Sequence, residues 1–263
     1  MDLELTDRVV LVTGASAGIG FATAQSFVNE GARVAICSRS QQNLDAAATT
    51  LDPAAKGVVL AVAADLSESA GVAALIERVH RHWGKLDILV NNVGGPPPGN
   101  FAATDDAAWQ RAVDLTLMSA VRVARQALPG MQRQRWGRIV NVSSYSVKQP
   151  IDGLLLSNSI RLAVLGWAKT LANEVAADNI LVNTVCPGWT RTQRVRQILD
   201  DRARKGGGDS QAIEEQIARD IPLRRLAEAR EIADVIVFLC SSRSSYITGT
   251  ALQVDGGVVQ GYM

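Results

Sequence analysis

Thr13-Gly14-Ala15-Ser16-Ala17-Gly18-Ile19-Gly20 places three glycines at a spacing that suits a phosphate held against backbone. Gly14 allows a tight turn, Gly18 lets the backbone approach a pyrophosphate, and Gly20 lets a following helix pack closely on a sheet. Ser16 and Ile19 belong to the same turn, and the free N–H groups at the helix start favour an anion. Used only for packing, the turn would bind nothing. Ser38 and Arg39 follow a second apolar run, at the point where a carboxylate would bind a ribose 2′-OH. A hydroxyl and a guanidinium suit a 2′-phosphate instead, so NADP(H) is favoured over NAD(H). Asp65, with Leu66 beside it, could accept a hydrogen bond from an adenine amino group or cap a helix. Asn91, Asn92 and Gly94 follow a fourth run.

Positioning these groups requires strands whose carboxyl ends share one rim. Apolar runs occur at Arg8–Val12, Arg33–Cys37, Val58–Ala63, Leu86–Val90, Arg138–Val142, Ile180–Val185 and Ala251–Val254. They are rich in Val, Ile and Leu with little polar alternation, as in strands buried on both faces. Amphipathic stretches such as Ile19–Glu30 and Ser69–His82 lie between them. The alternation predicts an α/β fold, a doubly wound parallel sheet with helices on both faces. No linker or internal repeat interrupts it, so residues 1–263 are expected to form a single domain. Gly94-Gly95-Pro96-Pro97-Pro98-Gly99 reads as a stiff loop. Residues 192–221 form a charged insertion containing Lys205-Gly206-Gly207-Gly208-Asp209, either a mobile substrate loop or a solvated helix pair.

The net charge of +1 gives no reason to expect nucleic acid as a partner. No apolar run approaches the ~20 residues that span a bilayer, and the acidic start Met1-Asp2-Leu3-Glu4 is unlike a signal peptide. Cys37, Cys186 and Cys240 have no metal-ligand spacing and are expected as reduced core thiols. A soluble cytoplasmic protein with no metal is therefore expected. His80 and His82 sit at the end of a helical stretch, where a role at the helix C-terminus is expected.

The order of motifs resembles that of the short-chain dehydrogenase/reductase family, and of its 3-oxoacyl-acyl-carrier-protein reductases in particular. The resemblance rests on the turn at 13–20, Asp65-Leu66, Asn91-Asn92-Val93-Gly94, Asn141-Val142-Ser143-Ser144, Asn183, Pro187-Gly188, Thr192, Gly249 and Asp255-Gly256-Gly257. It implies a seven-stranded Rossmann-type sheet, with Pro187, Gly188, Thr190 and Thr192 bordering a nicotinamide. It also implies a homotetramer or homodimer, built partly on the helix that starts near Ser157, and a small-molecule or acyl-thioester substrate.

That family's catalytic set is Asn, Ser, Tyr and Lys. Ser144 matches the serine, but Thr116, Ser157 and Arg161 occupy the other three positions, and no Tyr-x-x-x-Lys occurs in the chain. Reducing a ketone creates an alkoxide that needs a proton. A tyrosine near pKa ~10 can be tuned to supply it, whereas a serine hydroxyl is a far weaker acid. Arg161 stays protonated, so it supplies no proton, but it could hydrogen-bond the nicotinamide ribose as a cofactor-binding residue and supply positive potential near the carbonyl. Ser157 and Arg161, four residues apart, share one helix face. Tyr145 is a replacement donor or a pocket-wall aromatic, and a water held by Ser144 and Ser157 is another proton source. Trp189 is expected to wall the pocket. Lys148, Arg191, Arg194 and Arg196 are either a solvated basic face or contacts for an acyl carrier or a phosphate.

Three functions remain open. The first is an oxidoreductase acting on a carbonyl or hydroxyl group with altered proton delivery. The second is a catalytically silent nucleotide-binding scaffold or sensor, and the third is double-bond reduction at the same site.

Overall fold

Every residue of Val9–Thr13 is buried, and this run forms β1 in the middle of a parallel sheet. β2 (Arg33–Ser38), β3 (Val59–Ala63), β4 (Ile88–Asn91), β5 (Gly137–Val142) and β6 (Ile180–Pro187) follow in the chain. The two-residue strands β7 (Thr190–Arg191) and β8 (Ala227–Glu228) pair with each other, and β9 (Ala251–Val254) completes the large sheet. The seven strands lie in the order β3-β2-β1-β4-β5-β6-β9, and every neighbouring pair is parallel. This is the doubly wound Rossmann-type order, in which ligands bind beyond the carboxyl ends of the strands. The computed structural model describes residues 1–206 and 208–261, and the side chain of Lys205 is left out. Gly207 of the expected glycine cluster, together with Tyr262 and Met263, lies outside the described residues.

The helices are α1 (Gly18–Asn29), α2 (Gln41–Leu51), α3 (Ser69–Trp83), α4 (Asp106–Ala112), α5 (Ser119–Gln134), α6 (Leu155–Val175), α7 (Gln193–Gly206), α8 (Ser210–Asp220) and α9 (Ala229–Cys240). Successive strand residues face opposite sides, and the core divides accordingly. Val10, Val12, Val34 and Ile36 join Phe27 of α1 and Ile232 of α9 on one face. Val9, Leu11, Ala35 and Leu89 join Leu75 of α3, Val123 of α5 and Ala168 of α6 on the other. Helices therefore cover both faces, which is why the strands read as nearly unbroken apolar runs.

Most strand ends shift by one or two residues from the sequence expectation, and three of the shifts have visible local reasons. β4 begins at Ile88 rather than Leu86, because Asp87 is committed to other partners. Its buried carboxylate accepts from the Val9 N–H at 2.8 Å and pairs with Lys85 at 2.8 Å. β6 continues to Pro187, which still aligns with Val254 of β9. β1 extends to Thr13, whose hydroxyl is tied to the turn after β4.

The 192–221 segment contains α7 and α8, fastened to the pocket wall by a small apolar cluster. Ile198 and Ile217 pack there with Ile221, Leu226, Tyr145 and Trp189. His80 and His82 occupy the last turn of α3, which ends at Gly84 in the left-handed region. The three cysteines are free and buried, and burial pushes the Cys37 thiol up to about 12 and the Cys186 thiol up to about 11. No helix among the described residues is long and apolar enough to cross a membrane.

Candidate active site

The glycine turn is clamped by Asn92 from the neighbouring strand. Asn92 Nδ2 donates to the Thr13 carbonyl at 3.2 Å and to the Gly14 carbonyl at 3.0 Å. Its backbone N–H donates to the Thr13 hydroxyl at 2.9 Å, and that hydroxyl donates back to the Asn92 carbonyl at 3.0 Å. Gly14 has φ +58°, and a Cβ there would lie 2.2 Å from the Asn92 carbonyl oxygen. A Cβ on Gly20 would lie 2.3 Å from the Gly14 carbonyl oxygen. Side chains are thus excluded from the turn by backbone atoms, which cannot move aside. Ala17 precedes α1 without a side-chain cap, and no acid stands in the first turn. The open N–H groups and the positive end of the helix dipole therefore face the rim.

Ser38 ends β2, half-buried, with its hydroxyl near the Ser40 carbonyl at 3.4 Å, and Arg39 is exposed beside it. Asp65 is exposed on the same rim. Its Oδ1 accepts from the Ser67 hydroxyl at 2.7 Å and the Ser67 N–H at 2.9 Å. Those hydrogen bonds, with the Arg39 charge as a lesser cause, hold its carboxyl below the usual range. Two expected cofactor residues point elsewhere. Leu66 is buried in the core layer under α3, leaving only its backbone for a ligand. Asn91 donates through Nδ2 to Asn141 Oδ1 at 3.0 Å, a buried bond across β4 and β5 that withdraws its side chain from the nucleotide turn. Ser16 is half-buried in the turn and outside the cavity wall.

A cavity of about 350 Å³ opens at the carboxyl ends of β1, β4, β5 and β6. Its wall brings together Gly14, Gly18, Ile19, Asn92, Gly94, Ser144, Tyr145, Ser157, Arg161, Pro187, Gly188, Thr190 and Thr192. Residues far apart in the chain meet here because parallel strands deliver their ends to one rim. Ser144 Oγ accepts from the Ser146 N–H at 3.1 Å, which leaves its own hydrogen for a ligand. Ser157, in the first turn of α6, is half-buried on the wall.

Arg161 lies one turn further along α6 and is 9% exposed. Its Nη1 donates to the carbonyls of Val142 at 3.0 Å and Ser143 at 3.1 Å, where β5 ends. Burial, and then the charge of Arg194, push its pKa down to about 10, leaving it a cation at neutral pH. Tyr145 is 8% exposed, its ring 6.5 Å from that of Trp189. Burial is the main cause that raises its pKa, away from the range a proton donor needs.

Thr116 is not on this wall. It sits in a π-helical turn, Val113–Met118, between α4 and α5. Its buried Oγ1 has no hydrogen-bond partner and faces a small inner cavity shared with Asn91, Asn141, Ser143 and Arg161. It therefore stands behind the cavity wall rather than in it.

Two residues already expected near the site make contacts that the sequence does not announce. Asn92 acts as the clamp of the turn, 78 residues away from Gly14. Of the two alternatives for Arg194, a solvated basic face or a ligand contact, the first does not hold: it is half-buried on the cavity wall and donates to the Pro96 carbonyl at 2.7 Å. No local pattern announces either contact, since both partners come from distant loops. Arg191, grouped with it, is paired with Glu214 and Glu228 instead. No group of three or more metal-ligating side chains occurs among the described residues.

A family model described as Enoyl-(Acyl carrier protein) reductase matches residues 14–259. The chain is 36% identical over 264 residues to the uncharacterized oxidoreductase YvrD of Bacillus subtilis, covering 99% of each chain. It is 32% identical over 256 residues to the 3-oxoacyl-[acyl-carrier-protein] reductase FabG of Escherichia coli, covering 97% of this chain and 99% of that one. The structure of L-sorbose reductase from Gluconobacter frateurii, complexed with NADPH and L-sorbose, superimposes with a TM-score of 0.94 at 36% identity. That match covers 99% of this chain and 100% of the other. With the sheet order, the clamped glycine turn and end-to-end matches to oxidoreductases in agreement, the chain belongs to the short-chain dehydrogenase/reductase family of oxidoreductases and resembles its 3-oxoacyl-acyl-carrier-protein reductases.

Proposed function

We propose that this protein is an NADP(H)-dependent oxidoreductase acting on a carbonyl or hydroxyl substrate, with the proton delivered by water instead of a tyrosine. The observation that carries the reading is the convergence of Ser144, Ser157 and Arg161 on the cavity that also contains Gly14, Gly18 and Ile19. The turn fits a dinucleotide: Gly14 and Gly18 line the cavity, backbone atoms leave no room for a side chain on Gly14 or Gly20, and the start of α1 is open to an anion. Ser38 and Arg39 hold the 2′-phosphate, Asp65 the adenine, and Thr190, Thr192, Pro187 and Gly188 the nicotinamide end. The NADPH of the L-sorbose reductase complex supports this cofactor. When bound, NADP(H) supplies or accepts the hydride.

The chain's own groups manage the oxygen. Ser144 donates to the carbonyl oxygen, and Ser157 with Ser144 orients a water that gives the oxygen its proton during reduction. Arg161 provides positive potential that favours the developing negative charge. Tyr145 serves as an apolar wall, because burial raises its pKa. Substrates of this class include ketones and oxoacyl thioesters. The whole chain acts as one domain in which residues 192–221 form the substrate loop. A homotetramer or homodimer is consistent with Leu162 of α6, which is 53% exposed, and a soluble cytoplasmic setting is consistent with the absence of a membrane-crossing helix among the described residues.

A second reading is favoured by the same changes at 157 and 161: a silent nucleotide-binding protein that kept the turn without the proton relay. Titration with NADPH and NADH, followed by oxidation assays over a ketone and oxoacyl panel, separates the two. Binding with no turnover on any substrate would select the silent protein.

A further inference from the structure

Among the described residues, the cavity wall carries two guanidinium groups, those of Arg161 and Arg194, and no carboxylate. A Cβ placed on Gly95 would be 3.5 Å from Arg161 Nη2 and 3.8 Å from Arg194 Nη2, so the two cations reach the same spot beside that glycine. Their hydrogen bonds within the protein go to backbone carbonyls: Val142, Ser143 and, through Nη2 at 3.5 Å, Val93 for Arg161, and Pro96 for Arg194. These acceptors are neutral and leave both charges uncompensated. No carboxylate is among the causes that set the ionisation of Arg161, which feels only the Cys186 thiol as an acid, and Arg194 feels only Asp201, which is itself paired with Arg204. Burial, and then the charge of Arg194, lower the pKa of Arg161, and burial lowers that of Arg194. Burying a cation nine-tenths from water without a counter-ion is unfavourable unless an anion completes the site.

The position of the pair says which anion that is. Arg161 is anchored where β5 ends, beside Ser144, and Ser157 lies one turn before it on α6. The open first turn of α1 and the exposed Arg39 are separate positive groups, suited to the phosphates of the nucleotide. Ile151, Leu154 and Ile198 add an apolar side to the same cavity.

We propose that Arg161 and Arg194 form a carboxylate-binding pair, so that the substrate is a small oxo acid, or the corresponding hydroxy acid, held with its carbonyl at Ser144. A planar guanidinium matches a carboxylate through paired hydrogen bonds. This inference rests on the oxidoreductase reading above and names the substrate class of that site.

The test compares ligands with the same ketone and different charge: 2-oxobutanoate and 4-oxopentanoate, each against its methyl ester. Binding to the NADPH-saturated protein is measured by calorimetry and turnover by NADPH oxidation. At least one acid is expected to bind about tenfold or more tighter than its ester. Arg194→Gln and Arg161→Gln are each expected to reduce that preference to about threefold or less, while Arg161→Lys, which keeps the charge, retains more of it. If Arg161→Gln fails to fold, Arg194→Gln carries the test alone. No acid preferred over its ester in the unaltered protein would overturn the pair. So would an Arg194→Gln variant that loses NADPH affinity and keeps the acid preference, because the charge would then serve the cofactor. An acid preference in binding with no turnover on either ligand would support the anion site and overturn these oxo acids as substrates, while the oxidoreductase reading itself is decided by the wider ketone and oxoacyl panel.

Discussion

Arg161 Nη1 donates to the Ser143 carbonyl at 3.1 Å, tying the helix that bears Ser157 to the strand end that bears Ser144. The arginine therefore has a structural task in addition to its charge: it holds the two serines of the site to one cavity. The same contact places the Arg161 charge beside the hydroxyls that would handle a substrate oxygen.

Restoring the family's acid tests whether proton delivery limits the reaction. The double variant Ser157→Tyr with Arg161→Lys is expected to raise kcat by about tenfold or more, since a positioned general acid contributes ~10²–10⁴-fold. Steady-state kinetics on a substrate turned over by the unaltered protein provide the measurement. An unchanged kcat would mean that another group already supplies the proton.

Tyr145→Phe is expected to keep activity within about threefold, against the ~10²-fold or larger loss that removal of a working acid causes. Burial raises the folded-state pKa of Tyr145 above its unfolded value. The neutral phenol is therefore favoured by folding, and its contribution is complete below ~10 and lost as pH rises through the folded pKa. Urea unfolding across the alkaline range should show stability falling above that point, with a shallower fall in Tyr145→Phe. A collapse of activity in this variant would make Tyr145 the donor.

Gly14→Ala meets a backbone oxygen at 2.2 Å in a left-handed conformation. The cost should be about 3 kcal/mol, lowering Tm by roughly 6–12 °C. NADPH fluorescence titration should show binding weakened with it, because the turn that bears the cradle must shift. Normal affinity in the variant would remove the turn from the nucleotide site.

Arg39→Ala should weaken NADPH by about tenfold or more through loss of a charge-assisted contact, with NADH altered by less than about threefold. Parallel titrations decide the point. Equal losses for the two cofactors would deny Arg39 a phosphate partner.

Thr116→Val removes a buried hydroxyl that has no partner. Stability in urea should be unchanged or raised by up to ~1 kcal/mol, since an unsatisfied polar group is unfavourable where it stands. A loss greater than that would place a bridging water between Thr116 and its neighbours Asn141 and Ser143.

The apolar runs, the glycine turn and the substitutions at 116, 157 and 161 were legible because each is a local pattern. Strand periodicity depends on neighbouring side chains, and Gly14, Gly18 and Gly20 act through their own backbone. Sequence order also carried the sheet, since alternating strands and helices permit few parallel arrangements. Strand ends were less legible, as at Asp87, where the carboxylate's ties to Val9 and Lys85 decide where β4 begins.

The sequence by itself determined that a glycine-rich turn follows the first strand and that no Tyr-x-x-x-Lys occurs. Only the tertiary structure decided what the site residues face. Asn91 turns to Asn141, Thr116 stands behind the wall, and Arg194 crosses 98 residues of chain to meet Pro96 beside Arg161. Such contacts are set by which strand ends and loops share the rim, and parallel crossovers bring together side chains whose separation in sequence carries no record of the meeting.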